Sequence, residues 1–219
     1  ALRRVDGHAL WVNSAALAAA GIGPDTPTPA DGEILRDAAG MPSGIFVDGA
    51  MALVSLPVPE PAEKRRRLGV ALETIVRSGL VGVHEMGISD AALAHYTALA
   101  DALPVRVWIY VDPDTEAAER LKAGGPWRAG RLAVVGVKAY ADGALGSRGA
   151  HLGTDYSDRP GHRGTEITSR EELTVLATDL LGAGAQLAVH AIGDAAVSDA
   201  LSAFEAAREA HPDRGSVPL

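Results

Sequence analysis

Two polar side chains stand where apolar strand patterns end. Residues 132–137 form a near-continuous apolar run rich in β-branched side chains, the pattern of a parallel strand covered on both faces. The run ends in Lys138, and Asp142 and a glycine-rich loop over 143–149 follow. An ammonium group at the mouth of a buried strand costs free energy unless it is paired or used. About fifty residues further on, the apolar run 186–189 ends in His190, with Gly193-Asp194 and a helical pattern after it. A potential metal ligand at the carboxyl end of each of two successive strand–helix units is how (β/α)-barrel sites are assembled. The glycine-rich loop lacks a Gly-Lys-Ser/Thr ending, which argues against nucleoside triphosphate chemistry.

Composition bounds what those side chains belong to. With 219 residues, 47% hydrophobic and 22% charged, the chain has ordinary globular usage and enough length for one sizeable core. Its 20 basic and 28 acidic residues give a net charge of −8, which argues against a nucleic-acid partner. The one basic cluster, residues 64–67, reads as the solvated face of a helix. There is no cysteine, hence neither a disulfide frame nor a thiolate metal site. No apolar run approaches the roughly 18–20 residues of a membrane span, and no signal peptide opens the chain. A cytoplasmic enzyme with no membrane partner is the expectation.

The elements that must position Lys138 and His190 fall into three segments. Residues 1–23 read as an extended entry with a turn at Asp6-Gly7-His8, then a short helix capped by Asn13 or Ser14 and ended by Gly21. Residues 24–61 carry Pro24, Pro27, Pro29, Pro42, Pro57, Pro59 and Pro61, which exclude long helices. Within them 33–37 and 44–48 are the strands of an inserted β-hairpin laid over a barrel face.

From 62 to 219 strands and helices alternate. A helix over 62–78 places Leu68, Leu72, Ile75 and Val76 on one face, and Gly79 ends it. A strand over 80–86 has His84-Glu85 at its polar end; Ser89 caps a helix to 102; a strand covers 105–111; and a helix over 114–123 stops at Gly124-Gly125-Pro126. After the Lys138 strand, Ser169 opens a capping box for a helix to about 182. The His190 strand and a helix from 194 to about 210 close the series. This order means parallel strands with right-handed crossovers. The fold class is α/β, a partial TIM-type (β/α) barrel of four parallel strands, with Val83, Val107, Val137 and Val189 expected on the inner face.

Three stretches, RRVDGHALWVNSAAL, VKAYADGALGSRGA and HAIGDAA, together resemble the amidohydrolase superfamily, in its amidohydrolase family 3 branch of N-substituted formamide deformylase-like enzymes. They occur in the family's order, and the likeness runs over essentially the whole chain. The resemblance makes the four strands the second to fifth of the barrel. It places a His-x-His strand upstream of Ala1, and a further strand-end His and a last-strand Asp downstream of Leu219. None of the seven histidines here forms a His-x-His pair, so the chain is expected to be an internal fragment of a longer hydrolase.

The resemblance implies a divalent metal, zinc first, as one or two ions. Lys138 would be a ligand after carboxylation by CO2, and His190 a second ligand. A lysine at its ordinary pKa of ~10.4 is a poor ligand, whereas its carbamate is an anionic oxygen donor. Without metal, Lys138 would pair with Asp142 or Glu85. No catalytic base is expected within the chain, because the family takes it from the last strand. His8 stands either at the active-site mouth or in a surface turn. Glu85 is a pocket residue or a cap, and Asp142 a substrate contact. Arg148 either fixes a substrate carbonyl or carboxylate or pairs with Asp155 or Asp158. Asp194 is a helix cap or a site residue. The implied function is metal-dependent hydrolysis of a non-peptide carbon–nitrogen bond in a small amide, formamide or cyclic amide. The alternative is a non-catalytic fragment or relative that binds a small molecule or a partner chain. Open sheet edges point to a homo-oligomer or to the missing remainder of the barrel.

Overall fold

The computed structural model describes residues 1–5, 7–55 and 59–214, and the chain divides into two compact units. Asp6 of the expected turn and Pro57 of the proline series lie outside the described residues.

The first unit takes Ala1–Val58, Asp142–Ile167 and Ile192–Ala196. Its sheet has four antiparallel strands, β1 (Leu2–Arg3), β2 (Ala9–Trp11), β3 (Gly32–Arg36) and β4 (Pro42–Asp48), in the order β1-β2-β4-β3. The hairpin read from the sequence is β3–β4. Asp37 shapes its turn by accepting from the backbone N–H groups of Ala39 and Met41, with Gly40 at φ 80°. A boundary at residue 23 has no counterpart: β2 pairs with β4, Leu10 opposite Phe46, so the entry segment is part of the hairpin's sheet. The reason is period-2 burial. Leu10, Ile34 and Phe46 all point to one face and pack with Val12, Ala50 and Val54, a core no single hairpin could close. Helix α1 (Ser14–Ala19) adds Ala16 and Leu17 to that core. Asn13 is its cap, accepting from the Ala16 N–H, and Gly21 at φ 66° ends it.

The second unit takes Pro59–Ala141, Thr168–Ala191 and Val197–Leu219. Its strands β5 (Gly82–Ile88), β6 (Arg106–Val111), β8 (Leu132–Tyr140) and β9 (Gln186–His190) lie side by side, all parallel. Between them in the chain come α3 (Asp90–Thr97), α4 (Glu116–Gly124) and α5 (Arg170–Gly182), with α2 (Pro61–Arg77) before and α6 (Asp194–Ala210) after. The Ser169–Glu172 capping box forms as expected.

Four details differ from the sequence reading. Strand β5 starts at Gly82 because Leu80 belongs to the end of α2: its N–H donates to Ile75 and that of Gly79 to Val76, a Schellman ending. Val76, expected on the buried face of α2, is exposed, whereas Leu68, Leu72 and Ile75 meet the core. Helix α3 stops at Thr97 because the chain turns to bury Leu103 and to offer the Ala100 carbonyl to the Arg131 N–H. A short strand, β7 (Trp127–Ala129), runs antiparallel along β8 where only a helix stop was expected; Arg120 covers its Trp127 ring at 4.0 Å.

The fifth difference concerns which way the strands face. Val83, Val107 and Val137 are not on an open inner face: they sit in the core with Leu72, Leu121 and Leu180 of the helices. The opposite face carries His84, Trp108, Tyr110, Gly136, Lys138, Tyr140, Gln186 and His190, set together by the pairings His84↔Trp108, Gly136↔Gln186 and Tyr140↔His190. A strand buried on both faces has no hydrophobic alternation, so its phase is not legible from the sequence.

Candidate functional site

Lys138 and His190 lie on adjacent parallel strands near their carboxyl ends. Lys138 is in register with Ala188, and His190 with Tyr140. Side chains two residues apart on a strand share a face, so Lys138, Tyr140 and His190 project from the same side of the sheet. Strand β8 runs two residues past Lys138, and the next residue on the same face, Tyr140, meets both candidate ligands. The Lys138 ammonium sits 3.9 Å from the centre of the Tyr140 ring, and the Tyr140 and His190 rings are 5.6 Å apart, tilted by 40°. Tyr140 escaped the sequence reading because the apolar run was ended at Lys138. Burial pushes the Lys138 pKa down to about 8, while its Nζ donates to the Ala139 carbonyl at 2.9 Å. The Lys138–Glu85 ion pair does not form.

Two neighbours crowd Lys138 from the β5 and β6 side. Gly87 forms a bulge in β5 at φ 79°, and a Cβ there would lie 3.1 Å from Asp112 Oδ1, 3.3 Å from the Tyr140 hydroxyl and 3.4 Å from Lys138 Cγ. Asp112, one residue past β6, has its pKa raised by burial and by the charge of Asp114. Further down the same face His84 stacks on Trp108 at 5.2 Å, and the Tyr110 hydroxyl donates to Gln186. His84 is therefore a mid-strand aromatic partner and not a strand end.

Three of the expected substrate contacts have protein partners instead. Glu85 is in register with buried Ile109, on the helix-covered face, and accepts a 2.7 Å hydrogen bond from the Tyr96 hydroxyl of α3. That bond and burial raise the Tyr96 pKa, burial contributing most. Asp142 is fully buried, and its two oxygens accept from three backbone N–H groups: His151 at 2.8 Å, Ile192 at 2.9 Å and Gly193 at 2.7 Å. Asp194 is the first residue of α6. Its carboxylate accepts from the Gly153 N–H at 2.9 Å and from Ala195, and those bonds lower its pKa. Asp142 and Asp194 thus tie the 142–167 segment to the start of α6 within the first unit.

Arg148 takes the ion-pair alternative, gripping Asp158 through Nε and Nη2, the latter at 2.8 Å. Its backbone is left-handed at φ 59°. His8 is half-buried, with its Nδ1 2.7 Å from Asp48 Oδ1.

By type, Lys138 and His190 could donate to a divalent ion: one is a lysine whose pKa burial lowers, the other an imidazole. Among the described residues, no group of three or more His, Cys, Asp or Glu side chains is placed to hold an ion. Also among them, no helix is long and apolar enough to cross a membrane.

The family model described as amidohydrolase family matches residues 1–219. The chain is 36% identical over 215 residues to YtcJ of Bacillus subtilis, a match covering 93% of this chain and 40% of that protein. It is 28% identical over 221 residues to the N-substituted formamide deformylase of Arthrobacter pascens, covering 92% of this chain and 40% of the enzyme. Among solved structures, an uncharacterized metal-dependent hydrolase from Pyrococcus horikoshii superposes with a TM-score of 0.70 at 29% identity, over 93% of this chain and 41% of that one. The chain spans about two fifths of the length of the relatives it matches.

Proposed function

The chain belongs to the amidohydrolase family, and from that premise we propose that the complete protein is a metal-dependent hydrolase of non-peptide carbon–nitrogen bonds in a small amide, formamide or cyclic amide. The observation that carries the proposal is the placement of Lys138 and His190 on one face of adjacent parallel strands, near their carboxyl ends. Similarity to the Pyrococcus horikoshii metal-dependent hydrolase supports the metal, and similarity to the Arthrobacter pascens N-substituted formamide deformylase supports the amide class.

In this reading the four parallel strands belong to a TIM-type barrel, and the ion is zinc, singly or as a pair. Bound there, it would acidify a water molecule and polarise the amide carbonyl. Lys138, its pKa brought to about 8 by burial, takes up CO2 as the neutral amine and gives a proton back to solvent, becoming an anionic oxygen donor. His190 offers a neutral imidazole nitrogen from the next strand. Tyr140 packs against both. The remaining ligands and the base come from outside these 219 residues. The cytoplasmic setting expected from the composition belongs to the same proposal.

Glu85, Asp142 and Asp194 serve the protein's own hydroxyl and backbone groups, and His8 and Arg148 are paired with Asp48 and Asp158. Strands β5 and β9 have one strand partner each among the described residues, so other barrel strands or a second copy of the chain would cover their free edges. The test is the metal content of the complete protein after dialysis, with a screen of N-acyl and N-formyl compounds. Stoichiometric zinc that is lost in Lys138→Ala and His190→Ala, together with amide hydrolysis, is the expected result. A metal-free protein that hydrolyses none of them would favour a non-catalytic binding module.

A further inference from the structure

One carboxylate on the sheet face of Lys138 and His190 has no task in the proposed hydrolysis. Strands β6 and β8 are in register at Val111 and Val137, so the next residues, Asp112 and Lys138, stand level. Alternation from Trp108 and Tyr110 turns Asp112 to the same face as Lys138. A carboxylate level with an ammonium invites an ion pair. Lys138 instead holds its ammonium 3.9 Å from the centre of the Tyr140 ring and donates to the Ala139 carbonyl at 2.9 Å.

The backbone fixes Asp112 in this place. Its N–H donates to the Ile88 carbonyl at 3.0 Å, and its carbonyl accepts from the Thr115 hydroxyl at 2.7 Å. Gly87 then decides what stands beside the carboxylate. A Cβ at Gly87 would meet Asp112 Oδ1 at 3.1 Å and the Tyr140 hydroxyl at 3.3 Å, so both oxygens close on one point over the β5 bulge. Any other residue at that left-handed position would press on both. Among the described residues, neither the Asp112 carboxylate nor the Tyr140 hydroxyl has a hydrogen-bond partner. Both are reachable, Tyr140 being 40% exposed and Asp112 half-buried. An acceptor and a donor therefore lie together beside the two candidate metal ligands.

We propose that Asp112 and Tyr140 are the substrate-reading pair of the Lys138–His190 site, Asp112 accepting from an amide N–H and the Tyr140 hydroxyl donating to the carbonyl of the same amide. The amide class rests on the hydrolase reading; the convergence of the two oxygens over Gly87 does not. In an open-chain secondary amide the trans bond points N–H and C=O to opposite sides. A small cyclic amide holds them on one edge, where a neighbouring acceptor and donor meet both. The class that fits is therefore a cyclic amide with a free N–H. An N-methyl group would face the Asp112 carboxylate and leave it without its hydrogen bond, the kind of mismatch a polar site rejects most strongly.

The test uses the complete protein with pyrrolidin-2-one and N-methylpyrrolidin-2-one, which differ only in whether the ring nitrogen carries hydrogen or methyl. Affinities are read by NMR titration in wild type, Asp112→Leu, Asp112→Asn and Tyr140→Phe, with thermal melts to establish that each variant is folded. Wild type should bind the N–H lactam at least about ten-fold more tightly than the N-methyl one, and Asp112→Leu should bring that ratio to about two-fold or less. Asp112→Asn keeps an acceptor oxygen and should retain most of the preference. Tyr140→Phe should weaken both lactams alike, since both carry the carbonyl; this outcome decides if Asp112→Leu does not fold. The ratio is taken within one protein, so a general loss of stability does not move it. No preference in wild type, binding of neither lactam, an unchanged ratio in folded Asp112→Leu, or unchanged affinities in Tyr140→Phe would overturn the inference. If the preference holds while no amide is hydrolysed, the hydrolase reading falls and the pair stands. If amides are hydrolysed with no preference for N–H, the pair falls and the hydrolase reading stands.

Discussion

Replacing Asp142 by Asn should damage the protein through its fold and not through its chemistry. The carboxylate is 0% exposed and accepts three backbone N–H groups, from His151, Ile192 and Gly193. Asn keeps one acceptor oxygen and turns the other position into an NH2 donor. If the oxygen stays where Oδ2 was, His151 and Gly193 remain served and the Ile192 N–H faces another donor. Hydrogen bonds to a charged group contribute about 1.5–3 kcal/mol each, and a buried N–H left without an acceptor costs ~1–3 kcal/mol. One lost bond, two weakened from charged to neutral and a donor–donor contact come to about 3 kcal/mol. For a chain of this size that is a fall in Tm of roughly 6–12 °C. Asp142→Ala, which strands three N–H groups, should cost about 3–6 kcal/mol and approach the whole stability of a domain. Calorimetry gives the Tm, and hydrogen exchange should show the amides of His151, Ile192 and Gly193 losing protection together. A Tm within about 2 °C of wild type, with those three amides still protected, would refute the clamp.

Three further outcomes follow from the same geometry. In the metal-free protein the Lys138 pKa lies near 8, below its unfolded value, so the unfolded chain binds more protons between about pH 8 and 10.5 and stability from this group rises with pH across that window. Urea unfolding of wild type against Lys138→Met over pH 7–10 should show the rise in wild type only, and parallel curves would remove the desolvation argument. Gly87→Ala forces a Cβ into a left-handed position against Asp112, Tyr140 and Lys138; it should cost about 1 kcal/mol or more and weaken metal retention, measured by urea melts and mass spectrometry. Glu85→Gln should leave KM and kcat within two-fold and cost about 1 kcal/mol, because its carboxylate faces Tyr96 on the helix side; a ten-fold kinetic loss in a protein of unchanged stability would return Glu85 to the site.

The division between what was legible in the chain and what was not follows from the reach of each signal. Local chemistry was readable where one segment satisfies itself: the Ser169–Glu172 capping box, the Asn13 cap with Gly21 behind it, the β3–β4 hairpin, and the strand that stops at His190. The succession of parallel strands followed from strand–helix alternation, whereas the face shared by Lys138 and His190 did not, since the reading put Val137 and Val189 on the inner face. Partners brought from far along the chain were not readable. Nothing near Asp142 announces that its acceptors will be consumed by Ile192 and Gly193, 50 and 51 residues on. Phase was the other casualty. In β5 the residues Val83, His84 and Glu85 all suit a buried strand's end, and only Tyr96 from α3 decides that Glu85 turns toward the helices and His84 toward Trp108. A one-residue error of phase exchanges the two faces of a sheet, so it moves a carboxylate from the site to the scaffold without altering any predicted strand. In the fold the phase of the lysine has a physical reason. Its neighbours Val137 and Ala139 are both buried among apolar side chains, so the ammonium can face only the other way, beside Tyr140 and His190.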